Sequence, residues 1–167
     1  AILLKDEAKH GTKEAIQALN SRGIVTKMFT GDNKKAAKQI AEELGISEFE
    51  AEMLPDQKYS ELEKELEKYK GTNGKVAFVG DGINDSPVLA RADVGISMGG
   101  VGSGSAIEAS DIVVMTDSID RIDCAIDISK KTSKIIKQNL IFSIGVKIIV
   151  LVLSVFGVAN MWEAVFA

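Results

Sequence analysis

The chain has 167 residues, of which 46% are hydrophobic and 26% are charged, enough to bury one core of ordinary size. Its net charge of −4 comes from 20 basic and 24 acidic residues that are interspersed along the sequence, so no basic surface for nucleic acid is expected. The single cysteine, Cys124, cannot form an internal disulfide, which favours a reducing compartment.

The apolar pattern of the first 117 residues predicts alternating helices and strands. Helices are predicted at residues 5–19, 34–44 and 57–70 and from about residue 87, and strands at residues 24–29, 75–80, 94–98 and 112–115. This alternation predicts a parallel sheet that is covered by helices on both sides, with a functional site at the carboxyl ends of its strands.

The composition changes near the C-terminus. Residues 118–139 form a polar predicted helix, and residues 140–158 read LIFSIGVKIIVLVLSVFGV, roughly the length of a helix that crosses a hydrocarbon core of about 30 Å. The preceding lysines favour a cytoplasmic position for the part before this span: Lys130, Lys131, Lys134 and Lys137. The alternative is a buried helix of a soluble core, which the lack of a polar face disfavours.

Residues 75–89, which read KVAFVGDGINDSPVL, predict a strand that opens into a metal-binding loop. Asp81 and Asp85 supply oxygen ligands of the kind that Mg2+ prefers, and Gly82 lets the backbone approach an anion. The alternative is that these residues only cap the next helix, although a cap needs just one of them.

Two other segments carry groups that suit phosphoryl chemistry. Thr30 ends a predicted strand and offers a hydroxyl and backbone amides to phosphate oxygens, and Lys58 supplies a compact positive charge. Each signal is weak by itself, but three such loops in this order indicate a site that binds phosphate and Mg2+.

The strings MFTGDN, LPDQK and VGDGINDSPVLARADVGISM together resemble the phosphorylation domain of P-type ATPases, which are members of the haloacid dehalogenase superfamily. The resemblance begins at about Lys5 and runs to the end of the chain. It implies an α/β fold with a Rossmann-like parallel sheet, incomplete because the first central strand with its DKTGT string is missing, followed by a transmembrane helix. It also implies four segments: 1–117 as the C-terminal part of the phosphorylation domain, 118–139 as a stalk helix, 140–158 as the transmembrane helix, and 159–167 as the start of the next loop or helix.

The resemblance implies a role for each motif residue. Thr30 would contact the transferred phosphoryl group, Lys58 would neutralise it and position the nucleophile, and Asp81 would ligate Mg2+. Two residues would complete the phosphate and metal shell, Asn84 and Asp85, and three would shape it, Gly31, Asp32 and Gly82. Gly104 stands where heavy-metal exporters commonly carry an aspartate, so its loop receives no role.

Lys147 narrows the resemblance to one subgroup. It lies about seven residues into the predicted span, roughly 10 Å deep, where a charge costs about 2.5–3.5 kcal/mol. One possibility is that its side chain snorkels to the near interface. In zinc, cadmium and lead exporters a lysine has a similar setting, so the resemblance implies that Lys147 is a counter-ion in the transport pathway.

The implied function is ATP-driven export of Zn2+, Cd2+ or Pb2+ through an aspartyl phosphate, with Mg2+ and ATP as cofactors. The implied partners are the soft divalent cation, the lipid of the plasma membrane, and the missing nucleotide-binding and actuator domains of the same pump, with the catalytic part in the cytoplasm. We expect the chain to be a piece of that pump and inactive alone, because it lacks the nucleophilic aspartate. Two alternatives stay open: a phosphatase of the same superfamily, and a non-catalytic membrane-tethered module that binds Mg2+ or phosphate.

Overall fold

The computed structural model describes residues 8–80, 83–99, 104–116 and 118–157. Its six helices there are α1 (Thr12–Ser21), α2 (Lys34–Leu44), α3 (Pro55–Tyr69), α4 (Ser86–Arg91), α5 (Gly104–Glu108) and α6 (Asp120–Val155). Its strands are β1 (Lys27–Phe29), β2 (Glu48–Glu50), β3 (Ala77–Gly80), β4 (Val94–Met98) and β5 (Ile112–Val114), and a 3-10 turn covers Ile83–Asp85.

The strands form two separate sheets, and every pairing in them is parallel. β1 pairs with β2, while β3, β4 and β5 form a second sheet in that order. No hydrogen bonds join β1 to β3 among the strands that the structure describes. Val79 of β3 is 40% exposed, so this edge of the larger sheet is open. Open parallel edges are unusual, because parallel sheets are normally buried.

Local sequence signals fix where the helices begin and end. Asn33 caps α2 by accepting a hydrogen bond from the backbone N–H of Ala36 at 3.0 Å, and Gly45 ends this helix in a left-handed conformation (φ 75°). At the start of α3, the side chain of Gln57 accepts a bond from the Leu54 N–H at 2.8 Å, and Pro55 occupies the first turn.

The core lies between the helices and the larger sheet. Leu62 of α3 and Val88 and Leu89 of α4 are each 1% exposed, and α4 packs on β4. Each such side chain contributes about 1.5–3 kcal/mol on burial. This packing fixes α4, which follows the turn after β3, against α3, which carries Lys58.

Several predicted elements begin later than the sequence indicated, and two elements were missed. Helix α1 begins at Thr12, after Gly11 in a left-handed conformation (φ 84°), and residues 5–7 of the predicted helix lie outside the described residues. The strands predicted at residues 24–29 and 75–80 cover only Lys27–Phe29 and Ala77–Gly80, and the helix predicted from residue 118 begins at Asp120. Strand β2 was missed because its sequence, EFE, alternates with charge, and α5 because it follows a glycine-rich run.

The chain divides into two compact units, residues 1–123 and residues 124–167. In the first unit, Arg22 donates to Asp123 at 2.9 Å and Ile122 is buried, so the first turn of α6 belongs to this core. In the second unit, α6 continues without a break to Val155 and is long and apolar enough to cross a membrane, with none of its apolar stretch buried.

Gly95 in β4 allows the close approach of α4. A Cβ atom at this position would lie 2.5 Å from the carbonyl oxygen of Leu89, a contact that only a backbone shift could relieve.

We therefore expect Gly95→Ala to cost about 1–3 kcal/mol of stability in the natural protein that contains this sequence. The measurement is the apparent Tm of the purified protein. Gly104→Ala is the matched control, because no atom of the described residues beyond its chain neighbours lies within 4 Å of its added Cβ. Equal Tm values for the two variants would contradict the packing described for α4 and β4.

Candidate active site

The first part of the site is the Thr30 loop, residues 30–33, which directly follows β1. The Thr30 hydroxyl donates to the carboxylate of Asp32 at 2.8 Å and accepts from the Asp32 N–H at 3.1 Å. The backbone N–H of Thr30 donates to the carbonyl of Glu50 at 3.0 Å, which continues the β1–β2 ladder. The loop therefore presents a fixed hydroxyl at the carboxyl end of a strand.

The second part is the Glu52 turn, residues 50–54, which joins β2 to α3. The Glu52 N–H donates to the Asp32 carbonyl at 2.8 Å, and the Met53 N–H donates to the Thr30 carbonyl at 3.1 Å. A Cβ atom at Gly31 would lie 3.4 Å from the carbonyl oxygen of Met53, so the two segments are in contact. Backbone hydrogen bonds thus bind the Glu52 turn to the Thr30 loop.

The third part is an ion pair between Lys58 and Asp85. The Lys58 Nζ lies 2.9 Å from Asp85 Oδ1, and the two side chains are 20% and 13% exposed. Lys58 lies near the start of α3, after the smaller sheet, and Asp85 ends the 3-10 turn that follows β3 of the larger sheet. This contact therefore joins groups that follow two different sheets.

Gly80 lets Asp85 fold back over the end of β3. A Cβ atom at Gly80 would lie 3.0 Å from the Asp85 Cβ and 3.1 Å from its Oδ2. Oδ2 accepts no hydrogen bond from the residues that the structure describes, whereas Oδ1 is engaged by Lys58. A carboxylate with one free oxygen at a strand's end is the kind of ligand that Mg2+ takes.

These observations test whether the described residues fit Mg2+. They supply one carboxylate ligand, Asp85, while Asp81 and Gly82 lie outside the described residues. Within residues 8–80, 83–99, 104–116 and 118–157 there is no group of three His, Cys, Asp or Glu residues that could hold a metal alone. The described residues by themselves therefore do not form a Mg2+ site, and Asp81 stays a predicted ligand.

The other predicted site residues lie apart from this pair. Asn84 is exposed in the 3-10 turn, one residue before Asp85. Lys147 is exposed on α6 in the second unit and forms no ion pair with any residue that the structure describes.

An ion pair between Lys27 and Glu65 joins β1 to α3. The Lys27 Nζ lies 3.0 Å from a carboxylate oxygen of Glu65 and 5.7 Å from the centroid of the Phe29 ring. Burial alone would lower the pKa of Lys27, but the hydrogen bond and charge of Glu65 outweigh it and raise that pKa. Burial would likewise raise the pKa of Glu65, yet its bonds from Lys68 and Lys27 leave it lowered. Both shifts show that the charged forms are stabilised in the folded chain.

The sequence did not predict a set of hydrogen bonds between β4 and the residues that precede β5. Asp111 accepts from the Gly95 N–H at 2.8 Å and donates its own N–H to the Gly95 carbonyl at 2.9 Å. The fully buried Ser97 accepts from the hydroxyl of Ser110 at 3.0 Å. The Ser110-Asp111 pair before β5 is typical of a turn. Its hydrogen-bond partners in β4 depend on the pairing of β4 with β5, which this local pattern does not predict.

Comparison with known proteins assigns the chain to a family. The family model described as haloacid dehalogenase-like hydrolase matches residues 1–93. The chain belongs to this family. Among its relatives, it is 50% identical to the cadmium, zinc and cobalt-transporting ATPase of Bacillus subtilis, over 100% of this chain and 24% of that protein. It is 46% identical to the zinc-transporting ATPase of Synechocystis, over 99% of this chain and 23% of that protein.

Solved structures give the same result for this haloacid dehalogenase-like chain. A zinc-transporting PIB-type ATPase in the E2.Pi state matches with a TM-score of 0.86 and 34% identity over 97% of this chain and 26% of that one. A phosphatase from Moraxella catarrhalis, solved with magnesium and phosphate, matches with a TM-score of 0.56 over 66% of this chain and 64% of that one, and at 24% identity shows the fold alone. The chain spans about a quarter of the length of the ATPases that it matches.

The predicted α/β fold and the resemblance to heavy-metal P-type ATPases are confirmed by these comparisons. The segment boundaries and the roles of individual site residues stay predictions, since none of these comparisons bears on them.

The Lys58–Asp85 pair yields a double-substitution test. We expect Lys58→Met and Asp85→Asn each to cost about 1–3 kcal/mol, because each leaves a mostly buried charge unpaired, and the double variant to cost less than the sum. The measurement is the apparent Tm of the natural protein. Lys38→Met is the control, since Lys38 is 66% exposed and pairs with Glu42 on one helix surface. Additive losses would show that the two charges do not interact.

Proposed function

We propose that the chain is part of an ATP-driven exporter of Zn2+, Cd2+ or Pb2+ that works through an aspartyl-phosphate intermediate. Residues 1–117 are the C-terminal part of its phosphorylation domain, 118–139 a stalk helix, 140–158 a transmembrane helix, and 159–167 the start of the next loop or helix. The observation that carries this proposal is the extent of the match. The zinc-transporting ATPase matches 97% of the chain, which includes α6, while the phosphatase matches 66%.

The open edges of β1 and β3 support the placement of the phosphorylated residue. In this proposal a parallel strand from the same pump lies between them and ends in the nucleophilic aspartate. Its carboxyl end would then be level with Thr30, which follows β1, and with the loop that follows β3. A parallel strand at this position would also pair the backbone groups that both edges leave open.

Thr30 and Lys58 would act on the phosphoryl group. The Thr30 hydroxyl donates to Asp32 in the structure, and rotation about its Cβ–Oγ1 bond would let it donate to a phosphoryl oxygen. Lys58 is mostly buried, so its charge is weakly screened and can neutralise both Asp85 and the phosphoryl oxygens. Gly31 and Gly82 would shape the surrounding loops, and Asn84 would complete the phosphate shell.

Asp81 and the free oxygen of Asp85 would hold Mg2+, which when bound supplies charge neutralisation to the transferred phosphoryl group. ATP would be the phosphoryl donor, bound by a nucleotide domain of the same pump. These assignments rest on Asp85 Oδ2 being free and on the family resemblance.

An Asp81→Asn variant of the natural protein tests the catalytic part of the proposal. We expect a loss of phosphoenzyme of at least about a hundredfold, because the variant lacks a charged metal ligand. The measurement is acid-stable 32P incorporation from labelled ATP with Zn2+ present, and Asp93→Asn is the control because Asp93 lies at the opposite, amino-terminal end of β4. Normal phosphoenzyme in the Asp81 variant would reject the assignment.

Lys147 and the lysines before the span support the membrane part of the proposal. The lysines at positions 130, 131, 134 and 137 are exposed on α6, which favours a cytoplasmic side for the catalytic unit at the plasma membrane. Lys147 would lie in the transport path as a counter-ion that assists release of the cation.

We expect Lys147→Ala to lower metal-stimulated ATP hydrolysis about tenfold while the protein still inserts into the membrane. Lys137→Ala is the matched control on the same helix. An unchanged metal response would remove Lys147 from the transport path.

Release of the protein from membranes by alkaline carbonate would instead favour the phosphatase alternative, and Mg2+ or phosphate binding without turnover would favour the tethered module.

A further inference from the structure

The backbone of Glu52 is in a conformation that side chains seldom adopt. Its φ is +58°, and no other non-glycine residue that the structure describes has a positive φ. A left-handed conformation is unfavourable for an ordinary L-residue, and such residues concentrate at functional sites. Glu52 is exposed, so burial of its side chain does not account for this conformation.

Glu52 lies in the chain between Thr30 and Lys58, so its backbone conformation affects where these two residues lie relative to each other. On one side its N–H donates to the Asp32 carbonyl at 2.8 Å, which attaches the turn to the Thr30 loop. On the other side, two residues later, the Leu54 carbonyl accepts from the Lys58 N–H at 3.1 Å and so begins the helix that carries Lys58. Glu52 therefore lies between the segment that carries the Thr30 hydroxyl and the helix that carries the Lys58 ammonium group.

The segment from Thr30 to Lys58 is held by hydrogen bonds around the Glu52 turn. Three backbone hydrogen bonds of 2.8–3.1 Å hold the Glu52 turn against the Thr30 loop, and Gly31 contacts the Met53 carbonyl. The Gln57 side chain closes the start of α3 on the Leu54 N–H at 2.8 Å. The Lys58 ammonium group is then held on Asp85 at 2.9 Å. A change of backbone conformation at Glu52 would move Lys58 relative to Thr30.

We propose that Glu52 is a positioning residue for phosphoryl transfer, whose left-handed backbone sets the separation between the Thr30 hydroxyl and the Lys58 ammonium group. This inference rests on the proposed function, because it requires that both groups contact one phosphoryl group. The backbone of Glu52 sets this separation, and the Glu52 carboxylate has no role in it.

The test compares residues that differ in their tolerance of positive φ. Glycine and asparagine adopt this conformation readily, glutamine matches glutamate in shape without its charge, and valine strongly resists it. The variants are Glu52→Gly, Glu52→Asn, Glu52→Gln and Glu52→Val in the natural protein. Glu48→Val is the matched control, because it makes the same substitution in the extended strand β2, where valine is favoured.

The readout is phosphorylation by inorganic phosphate and Mg2+ without transported cation. In this reaction an aspartate carboxylate and phosphate form an acyl phosphate and release one water molecule. We expect Glu52→Val to raise the half-saturating phosphate concentration about three- to tenfold while the protein stays folded at the assay temperature, and Glu48→Val to leave that concentration within about twofold. Glycine, asparagine and glutamine variants should stay within about twofold of the unsubstituted protein.

Two results would overturn the proposal. Equal losses in the glutamine, glycine and valine variants would mean that the carboxylate itself acts. An unchanged phosphate dependence in folded Glu52→Val would mean that the conformation is only structural. If Glu52→Val does not accumulate, Glu52→Thr replaces it in the test, and an unchanged phosphate dependence in that variant overturns the proposal in the same way. Absence of phosphorylation in the unsubstituted protein would instead reject the proposed function.

Discussion

The contact between Lys58 and Asp85 is the interaction on which the account of this site depends. It joins the start of α3 to the turn after β3, and so brings together the carboxyl ends of two sheets whose described strands share no hydrogen bonds. A lysine beside one carboxylate would be an ordinary ion pair on a surface. Here both side chains are mostly buried and follow parallel strands, which is where α/β proteins bind ligands. In the proposed function, Lys58 would hold a second, transient anion beside Asp85.

Packing supports the contact from behind. Leu62, Val88 and Leu89 are almost fully buried where α3, α4 and β4 meet, and Gly95 permits the close approach of α4. The Lys27–Glu65 pair fixes β1 against α3 on the other side. The turn at Glu52 is held by its hydrogen bonds to the Thr30 loop and leads directly into α3, so the surrounding structure maintains its unfavourable conformation.

The sequence predicted the parts of this structure whose signals are local. The strand that ends at Gly80, the bounds of α2 at Lys34 and Leu44, and the long apolar segment of α6 follow from apolar periodicity and from glycine and asparagine at element ends. The family strings supplied the choice of Thr30, Lys58 and Asp85. Glu52 and β2 could not be predicted, because glutamate carries no signal for positive φ and a strand flanked by charges depends on its partner for stability.

The most direct test of the central claim is a structure of the natural protein with a phosphoryl analogue bound to the proposed nucleophilic aspartate. We expect the Thr30 Oγ1 and the Lys58 Nζ both to lie within hydrogen-bond distance of the analogue, about 2.7–3.2 Å. Thr30 and Lys58 on separate surfaces, with the analogue in contact with neither, would contradict it.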